Sequence, residues 1–172
     1  MSIFGLIRNA FKRKNVKEHK LPTVKCNIRQ FVSESDVIRE LAPIKGKYSN
    51  LIFSDKDMAD SILSGFNLKI AADSLLLLNK GKTRREVSPA IYWLSSKCHY
   101  LHDSRRAVSS GITHGEWVCC HPYCDGVDGN PSHQKLNGKK FSLKDGLKHK
   151  GKIYLPGNED GCRCTYRPIL PF

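Results

Sequence analysis

The sequence predicts an α+β protein: a helical N-terminal two-thirds, with a long last helix leading into a small β-rich, Cys/His-rich C-terminal module. Three observations predict it. Apolar residues recur at helical spacing between positions 33 and 110. From Gly111 onward the texture shifts to Gly, Pro, Asn, Asp, Cys and His with short apolar runs, the pattern of brief strands between turns. Five of the seven cysteines fall between positions 119 and 164. These shifts divide the chain into an arm over 1–25, a helical region over 26–110 and the Cys/His-rich module over 111–172.

The arm is amphipathic and basic. Ile3, Phe4, Ile7, Ala10 and Phe11 share a helical face, and Lys12-Arg13-Lys14 follows. Such a helix docks onto a surface or lies on a membrane, and the alternative is a solvated terminus. The opening residues lack a cationic n-region, and Arg8 breaks their apolar stretch, so a secretory leader is not expected there.

In the helical region, Ser33 with Asp36 marks a helix start, and Val37, Ile38 and Leu41 supply an apolar face up to Pro43. Ser54 with Asp57 opens a second helix in which Met58, Ile62 and Phe66 repeat at fours. Asn67 to Asn79 continues or restarts it, with Leu68, Ala71, Ala72, Leu75 and Leu78 inward and Gly81 as a stop. The long helix begins at the capping box Thr83-Arg84-Arg85-Glu86, or at Ser88-Pro89 with Ser88 as N-cap. Ile91, Leu94, Cys98 and Leu101 hold one of its faces to about Ser109. Arg105 and Arg106 fall in its last turn, where the helix dipole favours cations. In the module, Trp117-Val118, Lys140–Leu143, Lys152–Leu155 and Thr165–Arg167 look like strands, and Asn137-Gly138 signals a tight turn.

Charge narrows the partners. The chain carries 29 Lys and Arg against 16 Asp and Glu, a formal net charge of +13. A field of that size attracts polyanions: DNA, an acidic membrane surface, or an acidic protein shell. The basic contact candidates are Lys12, Arg13, Lys14, Arg105 and Arg106. The longest unbroken leucine run is Leu75 to Leu78, far short of a membrane span, although peripheral membrane contact by the arm stays open.

An odd cysteine count with no leader argues against a disulfide scaffold, so the clustering points to metal or packing. Structural zinc takes four soft ligands, often two from each of two turns. Cys120-x3-Cys124 is one candidate turn and Cys162-Arg163-Cys164 the other, with His133 as the substitute ligand for either. Gly161 allows the kink that lets both cysteines of a Cys-x-Cys pair ligate, and in a regular strand the two would also share a face. A segment of about 60 residues with few large apolar side chains benefits from such a staple. The alternative is that the cysteines pack a small core. Trp117 is expected in that core. Asp125, Asp128 and Asp160 match no ordered calcium spacing and are expected in turns.

The ordered elements Gly111-Ile112, Glu116-Trp117, Pro131-Ser132-His133, Leu136-Asn137-Gly138-Lys139-Lys140-Phe141, Leu155-Pro156-Gly157 and Gly161-Cys162-Arg163-Cys164 resemble the C-terminal region of Mu-like phage head morphogenesis proteins. The resemblance spans about residues 88 to 168. It implies a minor head protein, in the virion and in host cytoplasm during assembly. Its implied partners are the portal or capsid protein, its implied role is head assembly or DNA packaging and delivery, and no enzyme activity is implied. The family's His and CRC fall on His133, Cys162 and Cys164. The chain departs from the family in its shorter N-terminal part and in Cys119-Cys120-His121-Pro122-Tyr123-Cys124, which replaces a polar segment.

Two other functions compete. A treble-clef metal-dependent nuclease would use His133 as general base with Asn137 and His149 nearby. A non-enzymatic nucleic-acid-binding protein would work by its basic surface alone.

Overall fold

The structure, a computed structural model, describes residues 27–120 and 133–171. The expected arm, with Lys12, Arg13 and Lys14, lies outside the described residues, as do His121, Cys124, Asp125 and Asp128. The class is α+β, as the sequence predicts. After a 3-10 turn, Ile28–Gln30, come four helices: α1 Glu34–Lys47, α2 Asp55–Leu63, α3 Leu68–Leu78 and α4 Arg84–Ser109. Five short strands follow: β1 His114–Val118, β2 Lys140–Ser142, β3 Leu147–His149, β4 Lys152–Tyr154 and β5 Thr165–Ile169, with a 3-10 helix at His133–Leu136 between β1 and β2.

Helix starts sit where the side chains can satisfy the first free N–H groups. Ser33 and Asp36 close a capping box on α1, Ser54 caps α2 through the Asp57 N–H, and Asn67 caps α3 through the Ile70 N–H. Thr83 and Glu86 close the box on α4, so Ser88-Pro89 is not the start. Pro89 instead sits in the second turn and is exposed, so water can take the Arg85 carbonyl that its missing N–H leaves unbonded.

Helix α1 does not stop at Pro43 but runs to Lys47. Pro43 is exposed, so water can take the carbonyl it leaves unbonded. Ile44, one residue further, is fully buried, and the Tyr48 N–H donates to its carbonyl at 2.8 Å. Burying Ile44 and Leu41 contributes about 1.5–3 kcal/mol each, enough to offset the roughly 3 kcal/mol of an interior proline. Ile38 and Leu78, expected inward, are exposed at 38% and 41%. The second and third helices are separate: α2 ends at Leu63, and Phe66, in a left-handed conformation (φ 54°), stacks on His99 at 3.5 Å between ring centroids.

The helices enclose one apolar cluster that includes Val37, Leu41, Ile44, Met58, Ile62, Leu75, Val87, Leu94 and Cys98. A second cluster fills the module, around Trp117, Leu136, Phe141, Leu143, Leu147, Tyr154, Cys162 and Cys164, with Tyr100 and Ala107 of α4 as its floor. Helix α4 is long enough to serve both. Polar ties fasten the module to the helices. The Trp93 Nε1–H donates to the Asn158 carbonyl at 2.9 Å, the Tyr100 hydroxyl to the Leu143 carbonyl at 2.9 Å, and the Tyr48 hydroxyl to Asp160 at 2.8 Å. Asp160 is thus a structural acceptor.

The strands form a three-stranded antiparallel sheet, ordered β2-β1-β5, and a separate β3–β4 hairpin. Trp117 on β1 opposes Tyr166 on β5, and Gly115 opposes both Phe141 and Pro168. Pro168 is tolerated because β5 is an edge strand. Strand β3 has no counterpart in the sequence reading, since Leu147-Lys148-His149 offers one apolar residue among three. Asn137-Gly138 does turn the chain, but it joins the 3-10 helix to β2 rather than two strands: the Gly138 N–H donates to the Trp117 carbonyl and the Trp117 N–H to the Lys139 carbonyl, both at 2.9 Å.

Candidate metal centre

Three of the five expected ligands converge. His133 opens the 3-10 helix and is buried, while Cys162 and Cys164 lie in the turn before β5 and are also buried. Gly161 supplies the expected kink, at φ +71°, and the Cys162 N–H donates to the Glu159 carbonyl at 3.0 Å. Arg163, between the cysteines, is exposed and lines a cleft with Tyr92, His99 and Asp103. The chain therefore buries alternate residues here, although it is not yet a strand.

The His133 Nδ1 is 3.3 Å from the Cys162 Sγ and 3.6 Å from the Cys164 Sγ. The three donor atoms lie within 4.8 Å of one another. With Zn–S near 2.3 Å and Zn–N near 2.0–2.1 Å, tetrahedral geometry places neighbouring ligand atoms about 3.5 Å apart. The observed spacing fits that requirement. The group can hold a metal ion.

The opposite ring nitrogen is held as well. The His133 Nε2 is 2.9 Å from the Glu159 Oε2, and the other Glu159 oxygen accepts from the Lys152 ammonium. A carboxylate on the far nitrogen of a ligating histidine selects the tautomer and raises the basicity of the donor. Trp117 and Tyr154 meet the imidazole edge-on, at 5.6 and 5.7 Å between ring centroids. They seal the apolar side, so the ring has one orientation.

Electrostatics favours thiolate. The Cys162 pKa is lowered, first by its hydrogen bond with Cys164, against the opposing effect of burial, and then by His133. The His133 pKa is raised, first by its hydrogen bond with Cys162, with burial opposing and Glu159 adding to the rise. Burial pushes the Glu159 carboxyl up, but Lys152 and His133 outweigh it and leave the pKa lowered. Cys162 and His133 thus favour charge separation, thiolate against imidazolium, with Cys164 beside them.

Among the described residues, the remaining expected ligand does not join this group. Cys120 is described, is half-buried, and lies outside it; it follows the end of β1, where the chain leaves the sheet. Cys124 lies outside the described residues. Cys119 is tied through its backbone N–H to the Asn137 Oδ1 at 2.9 Å. Cys98 is a core residue, as expected, and burial pushes its thiol up to about 12. Glu159 is the member the sequence reading missed. The only signal for it is an acidic pair, Glu159-Asp160, directly before Gly161-Cys162-Arg163-Cys164.

The two described basic contact candidates have different fates. Arg105 donates to both Asp36 oxygens, at 2.5 and 2.9 Å, and to the Phe31 carbonyl at 2.7 Å. Its charge is committed to joining the ends of α4 and α1. Arg106 is exposed and lines a groove with Thr165, Tyr166 and Pro168. No protein-family model, curated protein or solved structure matches the chain.

Proposed function

We propose that this chain is a non-enzymatic structural protein whose C-terminal module is stapled by zinc at His133, Cys162 and Cys164, and that it acts as a minor head protein of a phage. The observation that carries the zinc reading is the spacing of the three buried donors around a common point. Two thiolates and an imidazole are a soft donor set, which suits zinc over the oxygen-seeking Mg²⁺ and Ca²⁺. Cys120 and Cys124 are the sequence candidates for the fourth donor. When bound, the metal supplies cross-linking: it joins the 3-10 helix to the turn before β5.

The head reading rests on the resemblance, and the site supports it in one respect: the His and CRC that the resemblance singles out are the residues that meet. Portal or capsid protein is the proposed partner, the virion the proposed location, and head assembly or DNA packaging and delivery the proposed role. The nuclease alternative has less to work with. His133 is buried, with the cysteines at Nδ1 and Glu159 at Nε2, which disfavours it as the base for an attacking water.

Elemental analysis of full-length protein purified without added metal tests the staple. About one zinc per chain is expected, lost on Cys162→Ser with Cys164→Ser. A folded protein with zinc content near zero overturns it. Mass spectrometry of purified particles tests the head assignment, with absence of the chain from particles as the refuting result. Plasmid cleavage with magnesium or manganese that is lost on His133→Ala would overturn the non-enzymatic reading.

A further inference from the structure

We propose that Lys135, Lys139, His149 and Lys150 form a docking surface on the C-terminal module for the phosphate backbone of a nucleic-acid duplex. The proposal goes beyond the zinc-stapled head protein and stands whether or not metal is bound.

The cluster is assembled by the fold from separate elements. Lys135 lies on the 3-10 helix, Lys139 on the turn before β2, and His149 and Lys150 at the tip of the β3–β4 hairpin. The Lys139 Nζ lies 3.3 Å from the His149 Nδ1. The pKa of His149 is lowered by partial desolvation first, then by the positive charges of Lys139, Lys150 and Lys135, and no carboxylate among the described residues counters them. All three lysines are exposed, and none has an ion-pair partner among the described residues. Two described acids of this module are engaged elsewhere: Asp145 accepts from the Ser142 hydroxyl at 2.7 Å, and Glu159 holds Lys152 and His133. Like charges placed together without compensation cost stability, and a polyanion relieves that cost.

The backbone beneath is tied down. The Lys139 N–H donates to the Leu136 carbonyl at 3.0 Å, and the Lys139 carbonyl accepts from Trp117. An ordered backbone spares the loop-ordering part of the cost of binding. The surface fits a duplex better than a single strand, because its neighbouring aromatic, Tyr154, is buried and offers no face for bases to stack on. It fits a nucleic acid better than a membrane, because Ile153 is the sole large exposed apolar side chain on the hairpin and lies opposite Lys148, on the other face from His149.

The test uses the full chain and a short labelled DNA duplex, with binding followed by fluorescence anisotropy across a salt series. The patch variant combines Lys135→Gln, Lys139→Gln and Lys150→Gln. A charge-matched control combines Lys56→Gln, Lys69→Gln and Lys80→Gln, exposed lysines of the helical part. The patch variant is expected to bind on the order of tenfold more weakly at low salt, with the slope of log K against log salt reduced by about 2–3. The control should change less than about threefold by the same logic of lost phosphate contacts. Arginine at the three patch positions should restore binding. Equal weakening of patch and control variants overturns the proposal, and so does unchanged DNA binding by the patch variant. Loss of binding to phosphatidylserine vesicles with DNA binding intact would assign the surface to a membrane and also overturn it. Zinc content measured on the same samples keeps failure of the patch distinct from failure of the staple.

Discussion

Replacing Asp36 by Asn should cost this protein about 2–3 kcal/mol, because one carboxylate joins the start of α1 to the end of α4. Asp36 is 6% exposed. It accepts from the Ser33 N–H at 3.0 Å and the Ser33 hydroxyl at 2.9 Å, from Arg39 at 2.7 Å, and from Arg105 at 2.5 and 2.9 Å. Loss of its part in the capping box accounts for about 1 kcal/mol. The charged bonds to arginine are worth about 1.5–3 kcal/mol in shelter. Side chains of Arg105 and Arg39 are 41% and 58% exposed, so screening reduces that figure toward its lower end. The pH dependence has a definite sign. Arg105 foremost holds the Asp36 carboxyl well below the usual carboxylate range, against some desolvation, with Ser33 and Arg39 assisting. A depressed folded-state pKa gives stability that is complete above the unfolded value of about 3.9 and is lost as pH falls toward the folded value. Urea unfolding followed by circular dichroism measures it. The gap between parent and Asp36→Asn should be full at neutral pH and narrow below about pH 4. A gap under about 0.5 kcal/mol at neutral pH, within the range of an ordinary surface substitution, would refute the reasoning. So would additive losses for Asp36→Asn and Arg105→Gln, since contacting partners should couple.

Three further outcomes follow from other sites. Glu159→Gln keeps the shape but removes the charge on the His133 Nε2, so affinity for the proposed zinc should fall roughly 10- to 100-fold by chelator competition; unchanged affinity would show that Glu159 does not tune the donor. Asn79→Ala removes a buried amide that accepts from the Ile52 N–H at 2.8 Å and donates to the Ile52 and Leu75 carbonyls, so unfolding should become easier by about 2–3 kcal/mol, read from the urea midpoint. Gly146→Ala should loosen the hairpin, raising proteolysis near β3 and β4: at φ +84° the new Cβ would stand 2.8 Å from the Tyr154 carbonyl oxygen and from side-chain atoms of Ile153 and Leu155.

The helical part was the more legible. Ser33, Ser54, Asn67 and Thr83 act within three residues of themselves, so each start could be read locally. The places where reading failed are those where a distant partner decides. Pro43 does not end α1 because Ile44 beyond it is buried, and Leu78 faces solvent although its spacing matches that of Leu75. In the candidate site, Cys162, Cys164 and His133 were nameable by residue type. Glu159 was not, because a carboxylate hydrogen-bonded to an imidazole 26 residues away leaves no periodic mark. The basic candidates show the same division: Arg105 is a cation by type, but only its distance from Asp36 reveals that its charge is committed.

What the sequence by itself determined is the α+β class, a long helix ending before Gly111, the burial of Trp117, and a set of residues able to bind metal. These follow from periodicity, capping and ligand chemistry, which act locally or through composition. Only the tertiary structure decided that His133 meets Cys162 and Cys164 while Cys120 stays outside the group, that Glu159 holds the far side of the imidazole, and that the Lys139 ammonium comes to the His149 ring. The physical reason is that donor spacing of a few ångströms and uncompensated charge are properties of chain segments brought together from far apart. That juxtaposition is set by packing on Trp117, Tyr154 and helix α4.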